Sequence, residues 1–263
     1  MKNTILTSLL SLLLSIGSAW AQRTVSSIPA PSGFNRMETS GFGAYLRDLP
    51  LKPKGAKVKL YNGIPKIWQG GAYAVVDMEI GTTDLQQCAD ACMRLRAEYL
   101  WKDKQFSNIH FNFTSGFRAD YTKWAEGYRI KVSGNNVEWY KAAEPDYGYK
   151  TFRKYLNMVF AYAGTASLSK EMVPVPLSDI RIGDVFIQGG HPGHAMIIVD
   201  MAEASDGRRA ILVAQSYMPA QDIHVVTNRK DRKISPWYIY DGNTVSFEFP
   251  DWSFSFGDIK RFK

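Results

Sequence analysis

The stretch from Gly183 to Ser216, GDVFIQGGHPGHAMIIVDMAEASDGRRAILVAQS, leaves this chain little choice of architecture. DVFIQ, HAMIIVD and RAILVAQS are short, largely apolar runs rich in Val, Ile and Ala, set between turn residues. Such runs read as strands. Asp206-Gly207 is a strong hairpin signal between the second and third. The three strands therefore form an antiparallel meander.

What precedes them is mixed. VKLYNG and AYAVVDMEIG read as two further strands, with a tight turn at Asn62-Gly63. TTDLQQCADACMRLRAEYLWKD reads as a long helix with Thr83 or Asp84 as N-cap. Leu85, Cys88, Cys92, Leu95 and Tyr99 form its apolar stripe. IHFNFTSGF is a strand candidate. Residues 121–142 mix a helical turn with a two-stranded piece around Gly134-Asn135. A second helix begins near Tyr149 and stops near Gly164. The tail from Ser235 is aromatic and irregular. Helices ahead of an antiparallel meander define an α+β fold.

Residues 1–21, MKNTILTSLLSLLLSIGSAWA, read as a secretory signal peptide: Lys2, an apolar core, and Ala19-Trp20-Ala21 as cleavage site. The core is shorter than the roughly 20 apolar residues wanted for a membrane span. An exported chain, periplasmic or extracellular, with no stable span after cleavage is expected. Residues 22–50, rich in Ser, Pro and Gly, read as an extended lead-in, and residues 51–263 as one domain. The formal charge is +7, or +6 once Lys2 is removed (7 − 1 = 6). Its scattered basic residues argue against nucleic acid as a partner and are compatible with an anionic cell-wall polymer. The two cysteines, Cys88 and Cys92, are too close on one helix for the usual wide disulfide spacing, so at least one free thiol is expected.

That thiol is the first candidate for chemistry. Cys88 lies near the start of its helix, where the dipole favours an anion and lowers a thiol's pKa. The free amides there suit an oxyanion. Buried small apolar residues are the other reading of both cysteines. A cysteine nucleophile needs a base. His194, at a strand end beside the Gly-rich turn, is the candidate; His191 sits inside the turn and is a substrate-side candidate or an exposed turn residue. His110 reads as a core histidine and His224 as part of an edge segment. Gln215 shares a face with His194 if the hairpin loop exceeds two residues, and would fix the base's tautomer. Ser216 and Asp200 stand behind it, and Gln87 is a candidate oxyanion donor.

The order of a cysteine at a helix start, then GDVFI…GHAMIIVD, then a polar residue on the next strand resembles the NlpC-type papain-like cysteine peptidases. That resemblance implies a papain-like layout and cleavage of cell-wall peptides or related amides. The 106 positions between Cys88 and His194 (194 − 88 = 106) then imply an inserted helical segment over roughly 105–170. DLQQCADACMRLRAEYLW, IHFNFTSGFRADY, GDVFIQGGHPGHAMIIVDMA and AQSYMPAQDI resemble an uncharacterised family of exported bacterial proteins, over roughly residues 55–263. That resemblance implies export and no established reaction.

The expectation is thus an exported cysteine hydrolase acting on a peptide or cell-wall peptide amide, with Cys88 as thiolate nucleophile, His194 as base and Gln215 as orienter. No cofactor is expected, and without a His-x-x-x-His or Cys-x-x-Cys spacing no metal is expected. Two alternatives stand. One is a catalytically silent wall- or glycan-binding protein with Trp124, Trp139 and Tyr140 as stacking platforms. The other is a glycoside hydrolase in which Asp77 and Glu79 work with Asp84 or Asp120.

Overall fold

The computed structural model describes residues 22–263; the signal peptide expected over residues 1–21 lies outside them. In chain order, β1 (Phe34–Arg36), α1 (Gly41–Arg47) and β2 (Ala72–Val75) lead to α2 (Cys88–Lys102). A mixed stretch follows, with two hairpins and three helices rather than the helical insertion expected over 105–170: β3 (His110–Asn112), β4 (Arg118–Asp120), α3 (Tyr121–Ala125), β5 (Tyr128–Ser133), β6 (Asn136–Lys141), α4 (Tyr149–Tyr162) and α5 (Thr165–Glu171). The chain then returns to strands: β7 (Val173–Pro174), β8 (Val185–Gln188), β9 (His194–Ala204), β10 (Arg209–Gln215), β11 (His224–Val226) and β12 (Tyr238–Tyr240). It ends in β13 (Ser246–Glu248), β14 (Ser253–Ser255) and β15 (Ile259–Arg261).

The fold is α+β. Its main sheet runs β2-β11-β10-β9-β8-β15-β7, with β1 paired to β9 and β12 to β10, antiparallel throughout. The strands at its centre read as unbroken apolar runs because both faces are covered. On one face Ala195, Ile197 and Val199 join a core with Cys92 and Leu95 of α2 and Phe152, Tyr155 and Leu156 of α4. On the other, Met196 and Ile198 meet Phe247, Phe249 and Phe254 of the β13–β14 hairpin. Ile198 is fully buried, which is worth about 1.5–3 kcal/mol for a side chain of its size.

Four sequence expectations shift. The segment over residues 22–50 is not extended throughout, because α1 forms to bury Leu46 and β1 pairs with the far half of β9. Residues 58–63 make no ladder strand, only the bridges Lys59–Pro65 and Leu60–Gln221; Pro65 has no amide with which to continue pairing. The long helix begins at Cys88, not after Thr83 or Asp84. The Asp84 carboxylate is engaged elsewhere, accepting from the Ala220 amide at 2.6 Å and Gln87 Nε2 at 3.1 Å. Gln87 takes the N-cap position instead, its backbone amide donating to Asp90 Oδ2 at 3.0 Å. Finally, the aromatic tail is regular: it forms β12, the β13–β14 hairpin and β15.

Candidate active site

Cys88 is the first residue of α2. This places its sulfur at the helix terminus more closely than the periodicity implied. Amides of Ala195, Ala89 and Cys88 itself donate toward the sulfur. Ala195 follows His194 on β9, so the thiol lies against the backbone at the start of that strand. Both cysteines are free; Cys92, one turn deeper, is fully buried in the core.

His194 and Gln215 meet because of a β-bulge. Arg209 pairs with Glu203 and Leu212 with Asp200, but Val213 pairs with Ile198, so Val199 is skipped. Had the first register continued, Gln215 would fall opposite Ile197, on the face away from His194. The extra residue moves it opposite Met196, on the same face and two positions along. His194 Nε2 and Gln215 Oε1 are then 2.8 Å apart.

The hydrogen bonds around Gln215 determine where protons sit. The Gln215 amide nitrogen donates to Asp251 Oδ2 at 2.6 Å, and a carboxylate only accepts. Its second contact is His224 Nε2 at 3.3 Å. His224 Nδ1 donates to the Asp222 carbonyl at 3.0 Å, which leaves His224 Nε2 as an acceptor. Gln215 therefore presents its oxygen to His194, and His194 Nε2 carries the proton. The unprotonated Nδ1 of His194 is the nitrogen left over, and it makes no hydrogen bond among the described residues. Lys66 Nζ stands 3.8 Å from Asp251 Oδ2. The imidazole is walled by Tyr217, Trp252 and Phe254, with ring centroids at 4.9, 5.3 and 6.1 Å.

Burial lowers the His194 pKa to about 4, against a partial lift from the Gln215 bond. Burial does the same for His224, also to about 4, offset in part by the Asp222 carbonyl. Burial raises the Cys88 thiol, and the Ala195 amide only partly counters it. Desolvation thus works against the helix terminus at Cys88 and against the charged ring at His194, and favours the neutral thiol and neutral imidazole.

Cys88 and His194 line one cleft of about 490 Å³ with Gln87, Tyr217, Met218 and Trp252. The turn Gly190-His191-Pro192-Gly193 forms its rim, and His191 is exposed there. Gly193 has no room for a side chain, because a Cβ there would sit 2.4 Å from Thr165 Oγ1 and 2.5 Å from the Gly190 carbonyl. That close packing holds the turn against the start of α5, directly before His194. A second cleft, about 560 Å³, lies beside Tyr45 and Tyr99, away from both thiols.

The other candidate residues separate. Gln87 lines the cleft, but its side-chain amide is engaged, donating to Asp84 Oδ1. Ser216 is buried outside it, its single hydroxyl proton directed at the Gln221 carbonyl at 2.8 Å with the Gln86 carbonyl at 3.1 Å, and so packs against the residue two before Cys88. Asp200, the reserve candidate after Gln215, does not line the cleft. It is buried beyond the bulge between Arg36 and Arg47, each at 2.7 Å. His110 is half-buried on β3, away from the cleft. Asp77 and Glu79 are exposed past the end of β2, and neither they nor Asp120 line the cleft. Trp124 is buried with its indole donating to the Thr151 carbonyl, whereas Tyr140 is exposed. Sequence reasoning missed Asp251 and Trp252 and underweighted His224. The only local signal was the Pro250-Asp251-Trp252 turn between two aromatic runs.

Fold and site together define an α+β protein in which Cys88 and His194, the latter hydrogen-bonded to Gln215, line one cleft at the mouth of an antiparallel sheet. The chain belongs to the family described as Domain of unknown function (4846), whose model matches residues 25–261. This agrees with the uncharacterised family that the sequence resembles, and the match brings no support for the NlpC-type resemblance. No curated protein and no solved structure matches the chain.

Proposed function

We propose that this protein is an exported cysteine hydrolase that cleaves an amide bond in a peptide or cell-wall peptide. The observation that carries the reading is the hydrogen-bond chain ending at His194, which leaves Nδ1 as a lone-pair base beside a cleft that also holds Cys88. As substrate enters, His194 Nδ1 takes the thiol proton and Sγ bonds to the carbonyl carbon. The first amides of α2 stabilise the growing negative charge. His194 then gives the proton to the leaving amine as the C–N bond breaks, leaving a thioester. Water, deprotonated by His194, adds to that carbonyl; the acid departs and the thiol regains its proton. Gln215 holds the ring in the required tautomer, as in a papain-like arrangement of the three groups.

The test is hydrolysis of a mixture of wall-derived peptides, followed by mass spectrometry. New amine termini that vanish in both Cys88→Ala and His194→Ala support the reading; products that persist in Cys88→Ala overturn it. Iodoacetamide labelling supplies the protonation state. Labelling of Cys88 is slow at pH 6 and climbs with the thiol's own raised ionisation.

The second reading is a catalytically silent binding protein. It draws on the same burial, since Cys88 is only 9 % exposed and its thiol pKa is raised. Tight wall-peptide binding without turnover would favour it.

A further inference from the structure

Residues 51–76, LKPKGAKVKLYNGIPKIWQGGAYAVV, contain five lysines and no acidic residue. Part of this stretch folds back on itself: the Lys66 amide donates to the Val58 carbonyl and the Leu60 amide to the Ile64 carbonyl. The apolar side chains around its turn face outward. Ile67 is 103 % exposed, Ile64 58 % and Trp68 40 %. The Tyr61 amide bonds the Ala220 carbonyl, which joins the loop to the segment carrying Met218, itself 62 % exposed. Cations bracket the indole of Trp68: Lys66 Nζ lies 5.8 Å and the Arg229 guanidinium 5.2 Å from its ring. Arg229 opens a second exposed basic run, RKDRK over residues 229–233.

We propose that this loop is an interfacial anchor that seats on an anionic phospholipid surface. Ile64, Ile67 and Trp68 enter the boundary between headgroups and acyl chains, and the exposed Lys54, Lys57 and Lys59 meet lipid phosphates, while Lys52 and Lys66 stay paired with Asp222 and Asp251. A wholly exposed isoleucine gains nothing in water, but removal of its surface into an apolar phase is favourable. Tryptophan with flanking cations suits that boundary. An acid-free lysine-rich stretch is attracted to negative headgroups, at about 1 kcal/mol per cation near the surface. A second copy of the chain is a poorer occupant. A stable dimer needs about 20–30 residues from each side, and this tip offers a handful. A soluble polyanion would use the lysines and leave the isoleucines unused. Seating here brings the mouth of the Cys88 cleft, which Met218 lines, to the bilayer surface.

The experiment is co-sedimentation of the full chain with phosphatidylcholine vesicles, with and without phosphatidylglycerol. Binding should require phosphatidylglycerol and weaken with added salt. The double variant Ile64→Glu, Ile67→Glu should bind at least about tenfold more weakly, since two buried aliphatic contacts are lost. Because both residues are exposed, its melting temperature should match the parent's, which separates lost binding from lost folding. Val173→Glu is the control, 40 % exposed on β7 at the opposite edge of the sheet from β2, and should bind as the parent does. The proposal is overturned if the parent ignores anionic vesicles, if the double variant binds unchanged, or if Val173→Glu loses binding equally. A concentration-dependent dimer abolished by Ile67→Glu, without vesicle binding, would assign the surface to a second copy instead. None of these readouts depends on hydrolysis.

Discussion

Strand β9 carries a buried polar side chain on either side of its bulge, and the two are built differently. Asp200 is 0 % exposed, and its two oxygens each meet an arginine. His194 is 1 % exposed, and its partners are an amide and aromatic rings. The Asp200 cluster is closed: each carboxylate oxygen has a cation, and it lines none of the clefts described above. The His194 cluster is open, with one ring nitrogen unengaged beside a cleft that also holds a thiol. Burial of a polar group therefore does not mark a site. What distinguishes His194 is an unused hydrogen-bonding capacity in the same cleft as a thiol.

The comparison breaks most visibly at Cys88. Cys88→Ala should lower hydrolysis by at least about 10⁴-fold, as removal of a nucleophile does, while leaving the unfolding midpoint nearly unchanged. Equal activity in parent and variant would erase the distinction between the two ends. Asp200→Ala should do the reverse. It strands two arginines beside each other and should remove about 3–5 kcal/mol of stability, toward the low end because both reach solvent. Urea denaturation measures this, and the Cys88 alkylation rate should not move.

Acid sharpens the contrast. The folded-state pKa of His194 is depressed to about 4, below its unfolded value of 6.5. The neutral ring thus contributes full stability above pH 6.5, and that contribution is lost as pH falls from there toward 4. The loss is on the order of 3 kcal/mol for this residue, at 1.36 kcal/mol per pKa unit. Melting curves of the parent and of His194→Asn should diverge across that window; parallel curves would show that the imidazole is not held neutral by burial. The smallest effect belongs to Asp251. Asp251→Ala frees Gln215 to turn its amide, and hydrolysis should fall about tenfold, equivalent to loss of one charged-group hydrogen bond. Asp251→Asn should restore part of it, because its oxygen can still accept from Gln215.

The site was legible where its signals are local. DVFIQ, HAMIIVD and RAILVAQS became β8, β9 and β10, and the cysteine stripe became α2. The turn between Ala204 and Arg209 is longer than two residues, as the reading of Gln215 required, but its register alone would leave Gln215 opposite Ile197, and the bulge brings it to the face of His194. The bulge was not legible: it depends on which of two registers buries more side chains, and Val199 looks like any other strand residue. The position of Cys88 at a helix terminus was visible in sequence, whereas the desolvation that raises its thiol pKa was not.

Local order alone determined the α+β class, the sheet's central strands and the candidate pair Cys88 and His194, since hydrophobic period and turn chemistry act over a few residues. Tertiary packing decided that Asp251 and His224 orient Gln215, that Asp200 turns to Arg36 and Arg47, and that desolvation works against charge on Cys88 and His194. Those outcomes depend on which groups distant in the chain are brought together and dried, and free energies of burial and charge belong to the assembled environment rather than to the residue.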